Sequence, residues 1–431
     1  MTLGHHGGGP GSSQAIPSAM STDTDAEHWP GSIWIGTVDV SQIVGDLVLE
    51  GSDGYASARL LVRDGRRPLH FVEVALDAGR VGATQVEQQL RAAGELRPQH
   101  RGGGHTPPIS VVICTRDRPE LLRSALASVL ALDYPDFEVV VVDNASRTDE
   151  TARLVASLGD VRVRFVREDR PGLARARNSG VLAARQEIIA FTDDDVVVDK
   201  WWLRGIADGF GMGSRVACVC GIVPSGEVQS LSQRYFDARV TWARNLHATV
   251  YTMKQPPPGN RLFPFGVGLY GTGANFAVTR GALISLGGFD EGLGVGSPAR
   301  GGEDIDMFVR VLLAGHDLAY EPAALVWHRH RRDVAALRSQ VHDYGVGLGA
   351  WISKLALNPK TLRMITSRSR SALMHGYSVA RVHLPDSDPQ MSRMTAQLAR
   401  TERAGMLAGP AAYARSRLHG RPAQPLRSLA R

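Results

Sequence analysis

The sequence contains few cysteines, which restricts the kinds of site that cysteine can form. Only Cys114, Cys218 and Cys220 occur in 431 residues. Their odd number and irregular spacing exclude the disulfide framework of a small secreted domain. No second cysteine pair is present to complete a zinc tetrahedron with Cys218 and Cys220. We therefore expect small, buried, reduced thiols within strands, in a protein of the reducing cytosol.

Long apolar runs are also absent. No stretch approaches the roughly 18–20 apolar residues that a membrane-spanning helix needs. The first residues are rich in Gly, Ser and His and lack the apolar core of a signal peptide. These absences predict a cytoplasmic protein. A content of 43% hydrophobic and 21% charged residues is ordinary for a globular protein, so a packed core is expected.

The net charge of +6 is distributed unevenly along the chain. Residues 359–431 contain 13 Lys and Arg against 3 Asp and Glu, so this tail carries +10 and the remainder −4. Three interpretations stay open: a solvated tail without a role, contact with anionic lipid headgroups, or nucleic-acid binding. Each basic residue near an anionic lipid surface contributes about 1 kcal/mol at best. Nucleic-acid binding is the least favoured of the three.

Composition also divides the chain into segments, since 431 residues suffice for two domains with tails. A stretch poor in large apolar residues predicts disorder at the start. A Gly-Gly-Gly and Pro-Pro stretch predicts a linker before a more regular region. The predicted segments are a disordered N-terminus (1–30), a small strand-rich accessory domain (31–96), a linker (97–107), the main domain (108–333) and a helical, basic C-terminal extension (334–431).

The main domain has an alternating strand and helix pattern. Short apolar runs that end in polar turns predict buried parallel strands, and apolar residues four apart predict the helices between them. This alternation is typical of a doubly wound α/β sheet, whose ligands bind beyond the carboxyl ends of the strands. The predicted strands are Ile109–Cys114, Glu138–Val142, Val161–Val166 and Glu187–Phe191.

Three consecutive acids, Asp193, Asp194 and Asp195, follow the fourth predicted strand. Two carboxylates 4 Å apart repel by roughly 4 kcal/mol at an effective dielectric constant near 20, and a divalent cation removes that repulsion. Asp193 and Asp195 offer the hard oxygen ligands that Mg²⁺ and Mn²⁺ prefer. The alternative is an exposed acidic turn that caps the helix at Trp201.

Polar residues at other strand ends suit a nucleotide. Asp143 follows the second strand, where an acid accepts hydrogen bonds from a ribose hydroxyl or a base N–H. Arg175 and Arg177 have the forked donors that suit a diphosphate, although a solvated helix face would also carry such arginines.

A second acidic pair, Glu303 and Asp304, begins a predicted helix in the second half of the chain. Apolar residues at Ile305, Phe308, Val309 and Leu312 anchor that helix. Acids at a helix N-terminus gain from the helix dipole, so capping is one interpretation. Their position at the ligand edge favours the other, in which one of them accepts a proton from a substrate hydroxyl.

Four motifs in this order carry a family resemblance. They are Cys-Thr-Arg-Asp-Arg (114–118), Val-Val-Asp-Asn-Ala-Ser (141–146), Gly-Leu-Ala-Arg-Ala-Arg-Asn (172–178) and Phe-Thr-Asp-Asp-Asp (191–195). In this combination the chain resembles glycosyltransferase family 2 over about residues 107–333. The resemblance implies the GT-A-type fold, a doubly wound mixed sheet flanked by helices.

The resemblance also implies roles for particular residues. The nucleotide would contact Asp117 and Asp143, the acid triplet would bind the ribose side and the metal, and Asp195 would bind the metal directly. Asp304 would be the base, with Glu303 as the next candidate. His328 would be a further metal ligand, with His330 as the alternative. The remaining residues expected around the nucleotide sugar are Thr115, Arg116, Ser146, Arg175, Arg177, Asn178, Asp193, Asp194, Gly273 and Asn275.

The function implied is that of an inverting glycosyltransferase that uses Mn²⁺ or Mg²⁺, in cell-wall or glycoconjugate biosynthesis. The donor would be a UDP-, GDP- or dTDP-linked sugar, and the acceptor a saccharide, a lipid-linked molecule or a peptide. Lipid-linked acceptors favour peripheral contact of the basic tail with the inner face of the membrane. Two alternatives are a nucleotide-sugar-binding protein without turnover and a metal-dependent nucleotidyltransferase. The second is disfavoured because Thr115–Arg118 contains no glycine-rich phosphate loop.

Overall fold

The computed structural model describes residues 15–20, 29–94, 104–260, 262–367 and 389–419. The chain divides into two compact units. The N-terminal unit comprises residues 1–97 together with Glu227–Ser230, and the C-terminal unit comprises residues 98–226 and 231–431.

The N-terminal unit contains the strands that the sequence predicts. Its three-stranded sheet has the order β1–β3–β4, with β1 parallel to β3 and β3 antiparallel to β4. A separate antiparallel pair joins β2 to β5. The elements are β1 (Ile33–Asp39), β2 (Leu47–Val48), β3 (Ser57–Asp64), β4 (Arg67–Ala75), β5 (Arg80–Val81) and α1 (Ala83–Ala92).

The prediction of disorder through residue 30 needs a correction. Residues 15–20 are ordered by the N-terminal unit: Ile16 is buried in its apolar core and its backbone N–H donates to the carbonyl of Val48. Met20 is also buried, and the Ala19 N–H donates to the Ile35 carbonyl. Two buried apolar side chains and several backbone hydrogen bonds therefore hold this short segment. Residues 1–14 and 21–28 lie outside the described part of the chain.

The C-terminal unit is built on a nine-stranded sheet. Its strands are β6 (Ile109–Thr115), β7 (Phe137–Asn144), β8 (Val163–Glu168), β9 (Ile188–Thr192), β10 (Val196–Val198), β11 (Val216–Ile222), β12 (Thr249–Tyr251), β13 (Asn275–Thr279) and β14 (Asp317–His328). Their order is β10–β14–β11–β13–β9–β6–β7–β8, with β12 also paired to β14.

The sheet is mixed. Strands β6, β7, β8 and β9 pair in parallel, as their strand and helix alternation predicts. Strand β13 runs antiparallel to both β9 and β11, and β11 is parallel to β14. The central strands are buried on both faces: Val111 and Val139 on one face, and Val112 and Val140 on the other, have no exposed surface. The mixed α/β sheet flanked by helices is therefore confirmed.

The three cysteines are free and buried. Cys114 lies in β6, and Cys218 and Cys220 lie in β11. The expectation of small buried strand residues is confirmed at all three positions.

Ten helices of the C-terminal unit fall within the described residues. Helix α3 has Asp149 as its N-cap and is followed by Gly159 in the left-handed conformation (φ 62°). The helices are α2 (Pro119–Leu130), α3 (Glu150–Leu158), α4 (Leu173–Ala183), α5 (Trp202–Phe210), α6 (Leu231–Arg239), α7 (Arg280–Leu286), α8 (Glu303–Leu313), α9 (Val334–Ala356), α10 (Pro359–Thr366) and α11 (Pro389–His419).

Helices α9 and α11 pack backbone to backbone through glycines. A Cβ on Gly345 would lie 2.1 Å from the Glu402 carbonyl oxygen, and one on Gly405 would lie 2.3 Å from that of His342. Gly349 and Gly409 form a second such contact one turn along. Only glycine allows this approach, because any side chain would collide with the opposite backbone.

The basic tail is only partly described. Helices α10 and α11 belong to it, whereas residues 368–388 and 420–431 lie outside the described residues. Its contact with a membrane surface therefore stays a prediction. Among the described helices, none combines the length and the apolar character needed to cross a bilayer.

Candidate active site

The polar strand ends meet at one edge of the sheet of the C-terminal unit. The parallel strands β6, β7 and β9 end there, at Thr115, Asn144 and Thr192. Strand β14 ends at the same edge, at His328, because β11 and β13 between it and β9 restore the parallel direction. Residues far apart in sequence are thereby brought together, as expected beyond the carboxyl ends of such strands.

Asp193, Asp195 and His328 form a cluster at this edge. One ligand atom from each lies within 4.8 Å of the others, and His328 Nε2 is 3.3 Å from Asp195 Oδ1. Two carboxylate oxygens and one imidazole nitrogen form a donor set that suits Mn²⁺ or Mg²⁺. The Asp193 side chain is 30% exposed, so the cluster is accessible to a ligand. The three side chains thus fit a divalent cation.

The two carboxyl groups of this cluster have pKa values shifted in opposite directions. Burial raises the pKa of Asp193 to about 7, with Asp195 adding to the rise and Arg177 opposing it. Burial also acts to raise the pKa of Asp195, but His328 and Arg118 outweigh it and hold that pKa well below its usual range. For His328, Asp195 outweighs burial and raises the pKa. Asp195 is therefore the more acidic of these two carboxyl groups.

Asp194 points away from the cluster into the protein. It accepts a hydrogen bond from the Thr115 hydroxyl (2.7 Å) and one from Arg118 Nη1 (3.2 Å). Arg118 Nη1 also lies 3.5 Å from Asp195 Oδ2. Sequence reasoning gave Arg118 no role, although it belongs to the same motif as Thr115. Its guanidinium is the cation that makes three adjacent acids tolerable at this edge.

The second acidic pair lies at the start of α8. Glu303 is 4% exposed and accepts from Arg177 Nη1 at 2.8 Å. Burial raises the pKa of Glu303 to about 7, although Arg177 acts to lower it. Asp304 is half-buried, and the N–H of Ile305 donates to its Oδ1. The N-cap of α8 is Gly302, which has no side chain, so neither acid is the N-cap.

Arg177 links the two acidic groups. It donates to Glu303 and, through Nη2, to the Gly273 carbonyl (2.9 Å), and Nη2 lies 3.7 Å from Asp193 Oδ1. A Cβ on Gly273 would lie 2.9 Å from Arg177 Nη2 and 3.0 Å from Asp304 Oδ2. Glycine at 273 therefore leaves the space in which these groups approach each other. The sequence predicted both residues at the site but not this bridge.

The predicted nucleotide-binding residues of the first two motifs bind one another. The Ser146 hydroxyl accepts from the Asp117 N–H (2.9 Å). The Ser146 N–H donates to Asp143 Oδ1 (3.0 Å), and Arg167 Nη1 donates to Asp143 Oδ2 (3.0 Å). Arg167 lies at the carboxyl end of β8, where the strand-end rule would have found it, but sequence reasoning missed it. The loops after β6 and β7 are thus joined.

Two further arginines, Arg116 and Arg147, belong to the loops after β6 and β7. Arg147 donates to both carboxylate oxygens of Asp117 (2.8 and 3.0 Å), and the pKa of Asp117 is lowered chiefly by the backbone hydrogen bond from Arg147. Arg116 is exposed. Sequence reasoning did not assign Arg147 a role.

Three residues that were predicted to contact the nucleotide sugar form hydrogen bonds or ion pairs with other segments of the protein. Asn275 is fully buried: its amide donates to the Ile222 and Ala324 carbonyls and accepts from Trp202 Nε1. Asn178 exchanges hydrogen bonds with the backbone of Phe289, and Arg175 pairs with Glu291 at 3.1 Å. Their contact with a nucleotide sugar stays a prediction.

The two candidate histidine ligands are in different surroundings. His328 Nε2 faces Asp195, whereas His330 is buried against Phe236, with ring centroids 4.3 Å apart. Burial lowers the pKa of His330 to about 3. The structure therefore brings His328, and not His330, to the carboxylates.

Helix α9 supports the loop that precedes the second acidic pair. A Cβ on Gly347 would lie 2.9 Å from Gly301, and one on Gly302 would lie 3.0 Å from the Gly347 carbonyl oxygen. Lys354, two turns further, lies 2.8 Å from Asp290 and 2.7 Å from Asp306. The glycines that precede Glu303 are thus packed directly on the α9 backbone.

Comparison with known proteins adds family relationships. Residues 110–284 match the model of the family described as "Glycosyl transferase family 2". A pre-mycofactocin glycosyltransferase of Mycobacterium tuberculosis is 29% identical over 290 residues, which are 67% of this chain and 55% of that protein. The O-antigen biosynthesis protein RfbC of Myxococcus xanthus is 28% identical over 268 residues, or 59% of this chain and 19% of that protein.

Among solved structures, the chain is similar to a mannosyltransferase from Pyrobaculum calidifontis in complex with GDP-Man and Mn²⁺. The TM-score is 0.45 with 18% identity, over 80% of this chain and 84% of that one. The chain spans about half the length of the mycobacterial relative, at 55%.

Proposed function

We propose that this chain, whose residues 110–284 match the model of glycosyltransferase family 2, transfers a sugar from a nucleoside-diphosphate donor to a hydroxyl group of an acceptor. The observation that carries the proposal is the meeting of two acidic groups at one sheet edge. Asp193, Asp195 and His328 suit a cation, and Asp304 stands across Gly273 from Arg177. One group serves the leaving diphosphate and the other serves the acceptor.

Asp193, Asp195 and His328 would hold the divalent cation. When bound, the cation supplies positive charge to the diphosphate that leaves, so that no separate acid is needed. Asp194 keeps its neighbours in place through Thr115 and Arg118. Manganese and magnesium both suit this set of oxygen and nitrogen ligands.

Asp304 would act as the base. Its carboxylate accepts the proton of the acceptor hydroxyl while that oxygen forms a bond to the anomeric carbon of the donor sugar. The bond between the anomeric carbon and the diphosphate oxygen breaks in the same step, which inverts the configuration and releases the nucleoside diphosphate. Glu303 is the next candidate, but its carboxylate is buried and pairs with Arg177.

The loops after β6 and β7 would hold the nucleotide. Asp117, Asp143 and Ser146 already form one hydrogen-bonded unit with Arg147 and Arg167. A nucleotide that enters this region meets a rigid set of polar groups, so little ordering is required on binding. The donor would carry UDP, GDP or dTDP, and the acceptor would be a saccharide, a lipid-linked molecule or a peptide.

The first prediction is that nucleoside-diphosphate binding requires a divalent cation, because Asp193 and Asp195 repel the diphosphate when no cation is bound. Calorimetric titration of UDP and of GDP, first in EDTA and then with Mn²⁺, measures this. We expect binding with Mn²⁺ and its loss in EDTA. Asp195→Asn should weaken the Mn²⁺-dependent binding, whereas Asp136→Asn, at an exposed acid just before β7 and at the opposite end of that strand, should not. Equal affinity with and without the cation would contradict the proposal.

A further inference from the structure

Two histidine rings meet directly behind the candidate metal cluster. Strand β14 ends at His328, and two residues on, the ring of His330 lies beside it, with Nδ1 of one ring 3.2 Å from Nδ1 of the other. His328 Nε2 is 3.3 Å from Asp195 Oδ1. Both nitrogens of His328 therefore have a partner: one faces the carboxylates and the other faces His330.

The contact between the two Nδ1 atoms restricts where the protons lie. A hydrogen bond there needs one proton between the two nitrogens, and a neutral imidazole carries one proton in all. A ring nitrogen that binds a cation has no proton. If His328 binds through Nε2, its proton is on Nδ1 and points at His330 Nδ1, which accepts it.

His330 is held rigidly for this task. It is 6% exposed, its ring lies against Phe236 on α6, and its backbone carbonyl accepts from Gln233 Nε2 at 3.1 Å. Its own Nε2 is buried without a hydrogen-bond partner among the described residues. A buried polar group that forgoes its hydrogen bond costs stability. Nothing in the packing of His330 explains this cost, whereas its bond to His328 does.

We propose that His330 is a positioning residue that sets the tautomer and the ring orientation of His328 so that Nε2 is free to bind the cation. This inference rests on the proposed function, since it takes the Asp193–Asp195–His328 cluster as the metal site. Residues that hydrogen-bond to a metal-binding histidine typically change metal affinity by 10–100-fold when replaced. His330 is expected to act at that level without touching the cation or the substrate.

The test removes both ring nitrogens of His330 in one variant and keeps a polar group near one of them in each of two others. His330→Phe keeps the ring and its packing on Phe236 but has no acceptor. His330→Asn carries an amide at about the position of Nδ1, and His330→Gln carries one at about the position of Nε2. Binding of Mn²⁺ to the full-length chain, in the presence of UDP, is measured by electron paramagnetic resonance, and the melting temperature of each variant is recorded.

We expect His330→Phe and His330→Gln to bind Mn²⁺ about 10–100-fold more weakly than the wild type, and His330→Asn to keep most of the affinity. Should the Phe variant not fold, the contrast between Asn and Gln still decides. Wild-type affinity in His330→Phe, or equal losses in Asn and Gln, would overturn the inference, because His330 would then serve packing alone. A wild-type chain that binds no Mn²⁺ overturns the proposed metal site, and this inference with it.

Discussion

The two acidic groups at the sheet edge are neutralised in different ways. Asp193–Asp195 lie at a strand end, and their nearest cationic groups, Arg118 and His328, leave the cluster partly open. Glu303 lies at a helix start and faces a single guanidinium, that of Arg177, with both side chains under 10% exposed. The first group is accessible to a cation from solvent, whereas the second is an ion pair buried away from water.

This difference separates a site for a ligand from a structural support. Where a cation is to arrive, the charges are balanced only in part and remain accessible. Where the geometry of the helix start must not change, Glu303 and Arg177 are paired away from water, and Asp304, the next residue, remains half-buried beside them. This contrast supports the proposal that Asp304 is the base and that Glu303 fixes its position.

The largest effect is expected at the helix-borne group. Asp304→Asn keeps the shape of the side chain but removes a base, so transfer should fall by about 10²–10⁴-fold. The affinity for UDP with Mn²⁺ should stay the same, because the strand-borne group is intact. Initial rates of transfer, calorimetry and melting temperature measure the three quantities.

A stable, donor-binding Asp304→Asn variant with near-normal transfer would remove Asp304 from the mechanism. Glu303→Gln then becomes the decisive variant. If Asp304 acted only through the helix terminus, the change would cost about 1 kcal/mol of stability and leave the activity intact.

The next effect concerns the buried pair. Arg177→Met removes the cation that faces Glu303 and Asp193, so the free energy of unfolding should fall by about 3–5 kcal/mol. The double variant Arg177→Met/Glu303→Gln should recover part of this loss, since both charges are then gone. Arg123→Met, at an exposed pair with Glu120, should cost under about 1 kcal/mol. Denaturant titration measures all three, and an Arg177→Met variant as stable as the wild type would contradict the pairing.

A smaller effect is expected from the support that α9 gives to α8. Lys354→Met removes one partner each from Asp290 and Asp306, which keep Arg417 and Arg310. We expect a loss of about 1–3 kcal/mol and a reduction in transfer of less than tenfold, with unchanged Mn²⁺ affinity. Lys360→Met, at an exposed lysine of α10, is the control. A loss of Mn²⁺ affinity in Lys354→Met would show that the two acidic groups are not independently supported.

The first half of the sheet was predictable because its pattern is local. Strands β6, β7 and β9 are apolar runs that end in polar residues, and each predicted strand lies within one or two residues of the observed one. The pairing of the second half was not, because β13 runs antiparallel to both β9 and β11, and such pairings depend on contacts distant in sequence. The C-terminal extension was expected to be helical, and α11 confirms this. Its bounds and its packing on α9 were not predicted, because Pro410 and two glycines in its interior weaken the helical pattern.

The sequence predicted which motifs come together at the sheet edge, but not which groups their side chains bind. Asp193, Asp195 and His328 come together as expected, because strand ends share one edge. The hydrogen-bond partners of Asn275 were not predictable, since they come from Trp202 and from the β14 backbone, both distant in sequence. Arg175 and Arg177 bind Glu291 and Glu303, more than a hundred residues away. Such pairings cannot be read from spacing.

The glycine contacts between α9 and α11 bear on the order in which a growing chain becomes complete. All residues of both acidic groups have been synthesised once His328 is made, whereas Gly405 and Gly409 follow much later. Domains generally fold as units as a chain is synthesised. The sheet edge, α9 and α11 belong to the same compact unit, so we expect the loop at Gly301 to gain its full support only after α11 has been translated.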